Sequence, residues 1–351
     1  MKVAVLGAGN GGCAVAFDWA AAGHEVALYS PSGVAGAIDD IVERGGLSST
    51  GDLEGEVEIG YAGHDAQRAL DGAALVFVVG PAYSTEPLAR DAKVHLVAGQ
   101  IVVVCPSSGG GAMAFQNVIG ADSGVIVAET STLPYAVRVL APATIHVYLK
   151  LKGGVWVAAI DADQTDAVQQ ILHEVYPGIE PAKSVWQTTL QNANPVIHPT
   201  ISLLNAARID GPGDFNFYED GVTPGVGRLI KGVDEERMAL AVAMNVPVLS
   251  DPELSMLQGY FTVETYDTGY STAPGFQGIK AQPQLDYRYF TEDVGYGLVF
   301  LSDLARHLGV PTPLIDSMIT IVSTVMDRDY RSEAKRTVAG LGLSKDGVAG
   351  A

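Results

Sequence analysis

The first part of the chain alternates short runs of β-branched apolar residues with stretches of helical periodicity. Val3 to Leu6 and Glu25 to Tyr29 predict two strands, and the segment from about Gly12 to Ala22 predicts a helix that Gly23 stops. Together they form one βαβ unit. Further strands are predicted at 57–61, 75–79, 101–105 and 125–128, with helix-like segments such as 87–97 between them. This alternation indicates the α/β class, with a doubly wound parallel sheet in the N-terminal domain.

The pattern changes after Thr132. Thr144 to Lys150 and Val155 to Ile160 predict two strands, and Lys152-Gly153-Gly154 between them is typical of a hairpin turn. A helix is predicted from about Thr165 to Tyr176. We expect this hairpin to close the first domain.

The second half of the chain is dominated by helical periodicity. It predicts helices at Pro195 to Arg208, Gly225 to Met244 and Tyr296 to Leu308, without a strong strand signal. We place the boundary near Pro181 to Trp186, so residues 1–185 form the α/β domain and residues 186–351 an all-helical C-terminal domain.

Two segments depart from this regular pattern. Tyr260 to Asp286 is rich in aromatic residues, glycine and proline, and it is too irregular for one helix. We expect it to cover part of a cleft. Ser344 to Ala351 is small and polar, which predicts a frayed end.

Composition supports two globular domains and narrows the partners. The 351 residues are 48% hydrophobic and 17% charged, which suffices for two apolar cores. The formal net charge of −19 disfavours nucleic acid and anionic membrane surfaces as partners. We therefore expect small-molecule substrates, while a homodimer remains open.

Cysteine usage and the N-terminus suggest a cytoplasmic protein without a metal site. Cys13 and Cys105 have no metal-ligand spacing to nearby residues, and the chain lacks a His-Glu-x-x-His or paired Cys-x-x-Cys motif. The apolar start is too short for a signal peptide, and no apolar run is long enough for a membrane span.

A glycine-rich run after the first strand carries the clearest chemistry. Gly7-Ala8-Gly9-Asn10-Gly11-Gly12 matches the G-x-G-x-x-G pattern between a predicted strand and a predicted helix. Gly7 permits the tight turn, Gly9 allows the backbone to approach a pyrophosphate, and Gly12 allows close packing of helix and strand. The helix N-terminus favours the negative charge. We predict binding of NAD or NADP by this run, with Asn10 and Gly11 included.

Four further residues are cofactor candidates. The fingerprint expects an acidic residue at the end of the second strand, where this chain has Ser30, and no Arg or Lys follows before Arg44. The choice between NAD and NADP therefore stays open. Gly80-Pro81 and Ser107 follow two later strands, where they either line the nicotinamide side or merely break the chain.

An unusual run opens the second half. In Asn192-Ala193-Asn194-Pro195-Val196-Ile197-His198-Pro199, Asn194 can cap a helix and Pro195 can occupy its first position, so His198 lies in the first turn. A lone histidine among apolar residues is either a core residue or a proton donor. The run resembles the N-x-N-P-x-x-H-P motif that opens the second domain of the opine dehydrogenases.

Other stretches share this resemblance from Met1 to about Leu343. They are Glu129 to Tyr135 with Arg138, Phe217-Tyr218 followed by Glu219-Asp220-Gly221, Asp234-Glu235-Glu236-Arg237, and Asp286 to Asp293. The resemblance implies an N-terminal Rossmann domain and a helical substrate domain. It also implies NAD(P)H-dependent reductive condensation of an amino acid or other amine with a 2-oxo acid such as pyruvate, through an imine.

The resemblance also implies roles for individual residues. His198 and Asp293 form the catalytic pair, and Arg288 anchors a substrate carboxylate, with Thr132 and Asn194 as further substrate contacts. Without the resemblance, Arg288 and Asp293 could be an ordinary ion pair or helix-capping residues. Two alternatives remain: plain ketone reduction, as in ketopantoate reductases or glycerol-phosphate dehydrogenases, and a non-catalytic dinucleotide sensor.

Overall fold

The computed structural model describes residues 1–34 and 36–343, so the frayed end expected at 344–351 lies outside the described residues. The chain divides into two compact units. One comprises residues 1–107 with 111–188, and the other comprises residues 108–110 with the chain from 189 onward.

The first unit contains two sheets and the helices that cover them. Its strands are β1 Lys2–Leu6, β2 Glu25–Tyr29, β3 Gly46–Gly51, β4 Gly55–Glu58, β5 Tyr61–Gly63, β6 Leu75–Val78, β7 Ile101–Val104, β8 Ile126–Thr130, β9 Tyr135–Ala141, β10 Thr144–Lys150, β11 Val155–Ala159 and β12 Ile179–Pro181. Its helices are α1 Asn10–Ala21, α2 Ile38–Arg44, α3 Ala66–Leu70, α4 Thr85–Ala92, α5 Gly111–Ile119 and α6 Thr165–Leu172, and α7 Val185–Gln191 crosses the division between the units.

The larger sheet confirms the predicted doubly wound architecture. Its strand order is β12-β11-β8-β7-β6-β1-β2-β5, and the strands from β8 to β5 run parallel. Strands β1, β6 and β7 are buried almost throughout, because helices cover both faces. The strand order reverses between β1 and β6, and open α/β sheets bind ligands at such a switch point.

The hairpin predicted between Thr144–Lys150 and Val155–Ile160 is wrong. The first of these strands, β10, belongs to a second sheet of order β4-β3-β10-β9, and β11 pairs antiparallel with β8 of the large sheet. The hairpin partner of β10 is β9, across a two-residue connection in which Ala143 has φ +48°. Local turn signals could not identify these partners, since pairing depends on distant strands.

The strand predicted at 57–61 is also divided between the two sheets. β4 ends at Glu58 and pairs with β3, whereas β5 begins at Tyr61 and pairs with β2 at the edge of the large sheet. The two residues between them carry the chain from one sheet to the other.

In the described residues of the second unit, the regular elements are helices, joined by irregular segments and one isolated bridge between Asn216 and Lys280. Its helices are α8 Asn194–Leu204, α9 Ala206–Ile209, α10 Pro224–Ala243, α11 Asp251–Gln258, α12 Thr268–Ser271, α13 Arg288–Thr291, α14 Val299–Leu308 and α15 Pro313–Val325. A π-helical turn, Asp293–Leu298, lies between α13 and α14.

Two predicted helices are more complex than their periodicity suggested. The helix predicted at 195–208 is interrupted at Asn205, whose amide nitrogen donates to the carbonyls of Ile201 (2.9 Å) and Gly221 (3.0 Å). The helix predicted from Tyr296 begins inside the π-helical turn, and the α-helix itself starts only at Val299. Neither feature has a periodic signature.

A buried charge network explains the Asp234-Glu235-Glu236-Arg237 run of α10. Asp234 and Arg237 are fully buried, with Oδ1 and Nε 2.7 Å apart. Asp234 Oδ2 also accepts from the backbone N–H of Asp251 (2.9 Å) and the hydroxyl of Tyr266 (2.7 Å). Glu236 points elsewhere: its two carboxylate oxygens accept the backbone N–H groups of residues 314 and 315, at 2.8 Å each, at the start of α15. The run therefore joins α10 to α11 and α15.

Candidate active site and cofactor site

The glycine turn after β1 has the geometry of a pyrophosphate cradle. Gly7 has φ +117°, and a Cβ there would lie 2.0 Å from the carbonyl oxygen of Val79. A Cβ on Gly12 would lie 1.7 Å from the carbonyl oxygen of Gly7, so the close approach of α1 to β1 requires glycine. At Gly9, by contrast, a Cβ would meet no atom within 4 Å. Gly7 and Gly12 thus allow tight packing of the backbone, and the absence of a side chain at Gly9 leaves the turn accessible to a ligand.

The N-terminus of α1 suits an anion. No side chain caps it at Gly9, and its first turn carries no acidic residue. Its first N–H groups and the positive end of the helix dipole are therefore suited to a pyrophosphate. The side chain of Asn10 is committed differently, because its Oδ1 accepts from the backbone N–H of Val139 in β9 (2.8 Å). Asn10 can therefore contact a cofactor only through its backbone or its amide nitrogen.

The other cofactor candidates follow parallel strands of the same sheet. Gly80 and Pro81 follow β6, and a Cβ on Gly80 would lie 2.3 Å from Oγ of Ser84. Ser107 follows β7, is fully buried and accepts the backbone N–H of Gly111 at the start of α5 (3.3 Å). The hydroxyl of Ser107 thus has a structural partner within the fold.

Ser30 directly follows β2, at the position where the fingerprint expects an acidic residue, and only 2% of Ser30 is exposed. Its backbone nitrogen donates to Gly63 (3.2 Å), and its carbonyl oxygen lies 2.7 Å from Nδ1 of His64. The side chain of Ser30 is therefore poorly placed to bond a ribose.

In the second unit, α8 places His198 inside the helical core. The helix begins at Asn194, and Pro195 occupies a first-turn position, where its missing N–H costs nothing. The prediction that Asn194 caps this helix is wrong, because Oδ1 of Asn192 accepts the backbone N–H of Asn194 (3.0 Å). His198 is 7% exposed.

The π-helical turn brings Asp293 to His198. Gly297 in this turn packs against Pro195, where a Cβ would lie 2.5 Å from the proline ring. Without that side chain the turn approaches α8, and Oδ2 of Asp293 lies 2.9 Å from Nδ1 of His198. Asp293 is 1% exposed. A buried carboxylate in this position fixes the orientation and tautomer of the ring.

Two tyrosines complete the surroundings of the imidazole. Nε2 of His198 lies 3.1 Å from the hydroxyl of Tyr218. The ring of Tyr289 stacks on the imidazole, with centroids 4.2 Å apart and planes 22° apart. Sequence reasoning quoted both tyrosines within motifs but gave them no role. Their contacts depend on tertiary packing, for which the sequence carries no signal.

The aromatic segment 260–286 packs over Tyr218. Phe276 stacks on the ring of Tyr218 at 4.0 Å and 13°, and Tyr260 stacks on Phe276 at 4.6 Å. The backbone N–H of Phe217 donates to the carbonyl of Ile279 (2.8 Å), which fixes the segment to the chain beside Tyr218. This segment thus supports the tyrosine that contacts His198.

Arg288 begins α13, on the same helical run as Asp293. Its Nε lies 3.2 Å from Oε2 of Glu292, and 41% of its side chain is exposed. The charges of Glu292 and then Asp293 raise the pKa of Arg288 despite the opposing effect of burial. Because the contact with Glu292 is at Nε, the terminal nitrogens can face a ligand carboxylate.

The two remaining candidates lie in different units. Thr132 follows β8 in the first unit, and its carbonyl oxygen accepts from the hydroxyl of Thr130 (2.9 Å). Asn194 lies in the second unit and is partly exposed. Before Thr132, Glu129 is fully buried and binds the backbone N–H of Ala112 (2.8 Å) and the hydroxyl of Thr188 (2.7 Å). Glu129 therefore anchors α5 and α7.

Over the described ranges 1–34 and 36–343, no group of three or more His, Cys, Asp or Glu side chains is arranged to hold a metal ion. In that part of the chain, each helix is too short or too polar to span a bilayer.

Comparison with known proteins gives a consistent result. Residues 181–326 match the family described as NAD/NADP octopine/nopaline dehydrogenase, alpha-helical domain. An opine dehydrogenase of Arthrobacter sp. (strain 1C) is 34% identical over 344 residues, which cover 97% of this chain and 95% of that protein.

Solved structures share the fold. Octopine dehydrogenase in complex with NADH and agmatine superimposes with a TM-score of 0.81 at 19% identity, over 100% of this chain and 98% of that one. NADP⁺-bound yersinopine dehydrogenase superimposes with a TM-score of 0.71 at 17% identity, over 99% of this chain and 96% of that one. On this similarity over nearly its full length, the chain belongs to the opine dehydrogenase family of NAD- or NADP-dependent oxidoreductases that act on CH–NH bonds.

Proposed function

We propose that this chain joins the amine of an amino acid to a 2-oxo acid such as pyruvate, and that His198, Asp293 and Arg288 perform the chemistry. The amine nitrogen and the carbonyl carbon form a C=N bond with loss of water. Reduction of that imine gives an N-(1-carboxyalkyl) amino acid. The observation that carries the proposal is the buried pair of His198 and Asp293, with Arg288 on the same helical run as Asp293.

A nicotinamide dinucleotide held by the glycine turn would supply the hydride that the imine carbon receives. His198 supplies the proton. Because Asp293 occupies Nδ1, Nε2 is the ring atom that exchanges a proton with the carbonyl oxygen or the imine nitrogen. The hydroxyl of Tyr218 can donate to Nε2 or accept from it, so it holds this atom in either protonation state.

Arg288 binds the carboxylate of the oxo acid. Its guanidinium offers a planar fork, and Glu292 holds that fork through Nε. Thr132 and Asn194 contact the substrate.

Residues 1–185 serve as the dinucleotide-binding domain and residues 186–351 as the substrate domain. Both cysteines are free thiols and buried, which supports a cytoplasmic location. The homodimer remains a prediction for light scattering to test.

A two-substrate assay tests the function. The enzyme is mixed with NADH or NADPH, pyruvate and a panel of amino acids and other amines, and cofactor oxidation is followed at 340 nm. We expect oxidation that requires both the amine and the oxo acid, with a secondary amine as product by mass spectrometry. Oxidation with the oxo acid alone would instead identify a plain ketone reductase, and cofactor binding without any turnover would favour the sensor.

A further inference from the structure

The end of β2 lacks the acidic residue that normally binds the adenosine ribose in this fold. Ser30 takes that position, but it is 2% exposed and its carbonyl oxygen is held by Nδ1 of His64 at 2.7 Å. A ribose at this edge must therefore be bound by another side chain.

Helix α2 begins beside the glycine turn. The backbone N–H of Ala37 donates to the carbonyl of Ala8 (3.2 Å), and a Cβ on Gly36 would lie 3.0 Å from the same oxygen. Ala8 lies within the glycine fingerprint. The first turn of α2 is thus anchored to the glycine turn, and the adenosine ribose next to a pyrophosphate bound there would lie near it.

An exposed carboxylate lies in that first turn. Oδ1 of Asp39 is 3.3 Å from Nε2 of His64, and 88% of the Asp39 side chain is exposed. The same imidazole therefore bridges the Ser30 carbonyl and the Asp39 carboxylate. Bonding first to the Ser30 carbonyl and then to Asp39 raises the pKa of His64, which favours the charged ring that holds the carboxylate.

The nearby arginines have other partners. Nη2 of Arg44 is 2.8 Å from Oε1 of Glu56 in an ion pair, and the guanidinium of Arg68 lies over the ring of Tyr61 at 4.6 Å. The electrostatic balance at this edge is therefore poorly suited to a 2′-phosphate.

We infer that Asp39, positioned by His64, substitutes for the missing acidic residue at the end of β2 and makes this chain selective for NAD over NADP. The carboxylate accepts hydrogen bonds from the ribose hydroxyls of NAD. The same charge repels the additional phosphate of NADP. His64 is a positioning residue, since it acts by holding Asp39 beside the ribose.

Fluorescence titration with NADH and NADPH tests this inference without substrate. The wild-type protein is compared with Asp39→Asn, His64→Gln and the control Asp40→Asn, which lies about 100° further round the same helix. We expect the wild type to bind NADH at least tenfold more tightly than NADPH. Asp39→Asn should weaken NADH binding about tenfold and leave NADPH binding unchanged or improved. The selectivity ratio is the dissociation constant for NADPH divided by that for NADH. His64→Gln should lower this ratio less than Asp39→Asn does, and Asp40→Asn should leave it unchanged.

The inference is overturned if the wild type binds NADPH as tightly as NADH, or if Asp39→Asn and Asp40→Asn give the same ratio. A change in fold is excluded by comparing far-UV circular dichroism and the thermal midpoint, and Asp39 is exposed enough for the fold to survive its replacement. The readout is independent of turnover, so it stands or falls separately from the proposed amine and oxo-acid substrates.

Discussion

The Nδ1 atom of His198 lies 2.9 Å from Oδ2 of Asp293, although the two residues are 95 positions apart in the chain. The contact depends on the π-helical turn, where Gly297 allows close packing against Pro195. π-Helical turns are frequent at functional sites because they shift side chains out of helical register. Here the turn presents a carboxylate to the buried ring of α8.

Asp293→Asn tests the pairing itself. The amide has nearly the shape of the carboxylate but loses its charge, and it can present N–H to Nδ1 and favour the wrong tautomer. We expect kcat for the two-substrate reaction to fall by about 10²–10⁴-fold. NADH affinity, measured by fluorescence, should stay within a factor of two. A kcat close to that of the wild type would show that Asp293 is only structural.

Arg288→Lys tests the carboxylate anchor. Lysine keeps the charge but cannot form two parallel hydrogen bonds, so we expect the KM for the oxo acid to rise about 10–100-fold. The KM for the amine should change much less. Arg328→Lys serves as the control, because Arg328 forms an ion pair with Glu333 at the surface. Equal effects of Arg288→Lys on both substrates would contradict the assignment.

Glu236→Ala tests whether the motif in α10 acts through the fold. The change leaves two backbone N–H groups at the start of α15 without their acceptor. We expect a loss of about 1–3 kcal/mol in the free energy of unfolding, measured with urea. Glu235→Ala is the control, because Glu235 is 58% exposed and 3.7 Å from Lys231. Glu235→Ala should lower the free energy of unfolding by less than about 0.5 kcal/mol. Similar losses for both variants would contradict the capping role.

Asp251 predicts a pH dependence of stability. Burial, and then the charge of Asp234, raise its pKa from 3.8 to about 7. Between about pH 4 and pH 7 the Asp251 carboxyl group is protonated more often in the folded state than in the unfolded state. Its contribution to the free energy of unfolding therefore falls as the pH rises from about 4 to about 7, and then levels off. Its slope is at most about 1.4 kcal/mol per pH unit. Urea unfolding of wild type and Asp251→Asn across this range should show a steeper decline in the wild type, and parallel curves would contradict the prediction.

The parallel centre of the large sheet was predictable because its strands are nearly continuous apolar runs, such as Ile101–Val104, and α1 follows a recognisable glycine turn. The small sheet was not, since β3 runs from Gly46 to Gly51 through serine and threonine and pairs with distant β10. The same limit applies to the site. The candidates His198, Asp293 and Arg288 were selected from motifs and remain predictions as site residues, whereas the contacts of Tyr218 and Tyr289 arise only from packing.

The replacement His198→Gln tests the central claim most directly. Glutamine preserves polarity but has no titratable proton, so the variant should bind NADH with wild-type affinity and lose at least about 10²-fold in kcat with the amine and oxo acid together. The measurement is single-turnover oxidation of bound NADH at 340 nm with both substrates saturating. A single-turnover rate equal to that of the wild type would contradict the assignment of His198 as the proton donor.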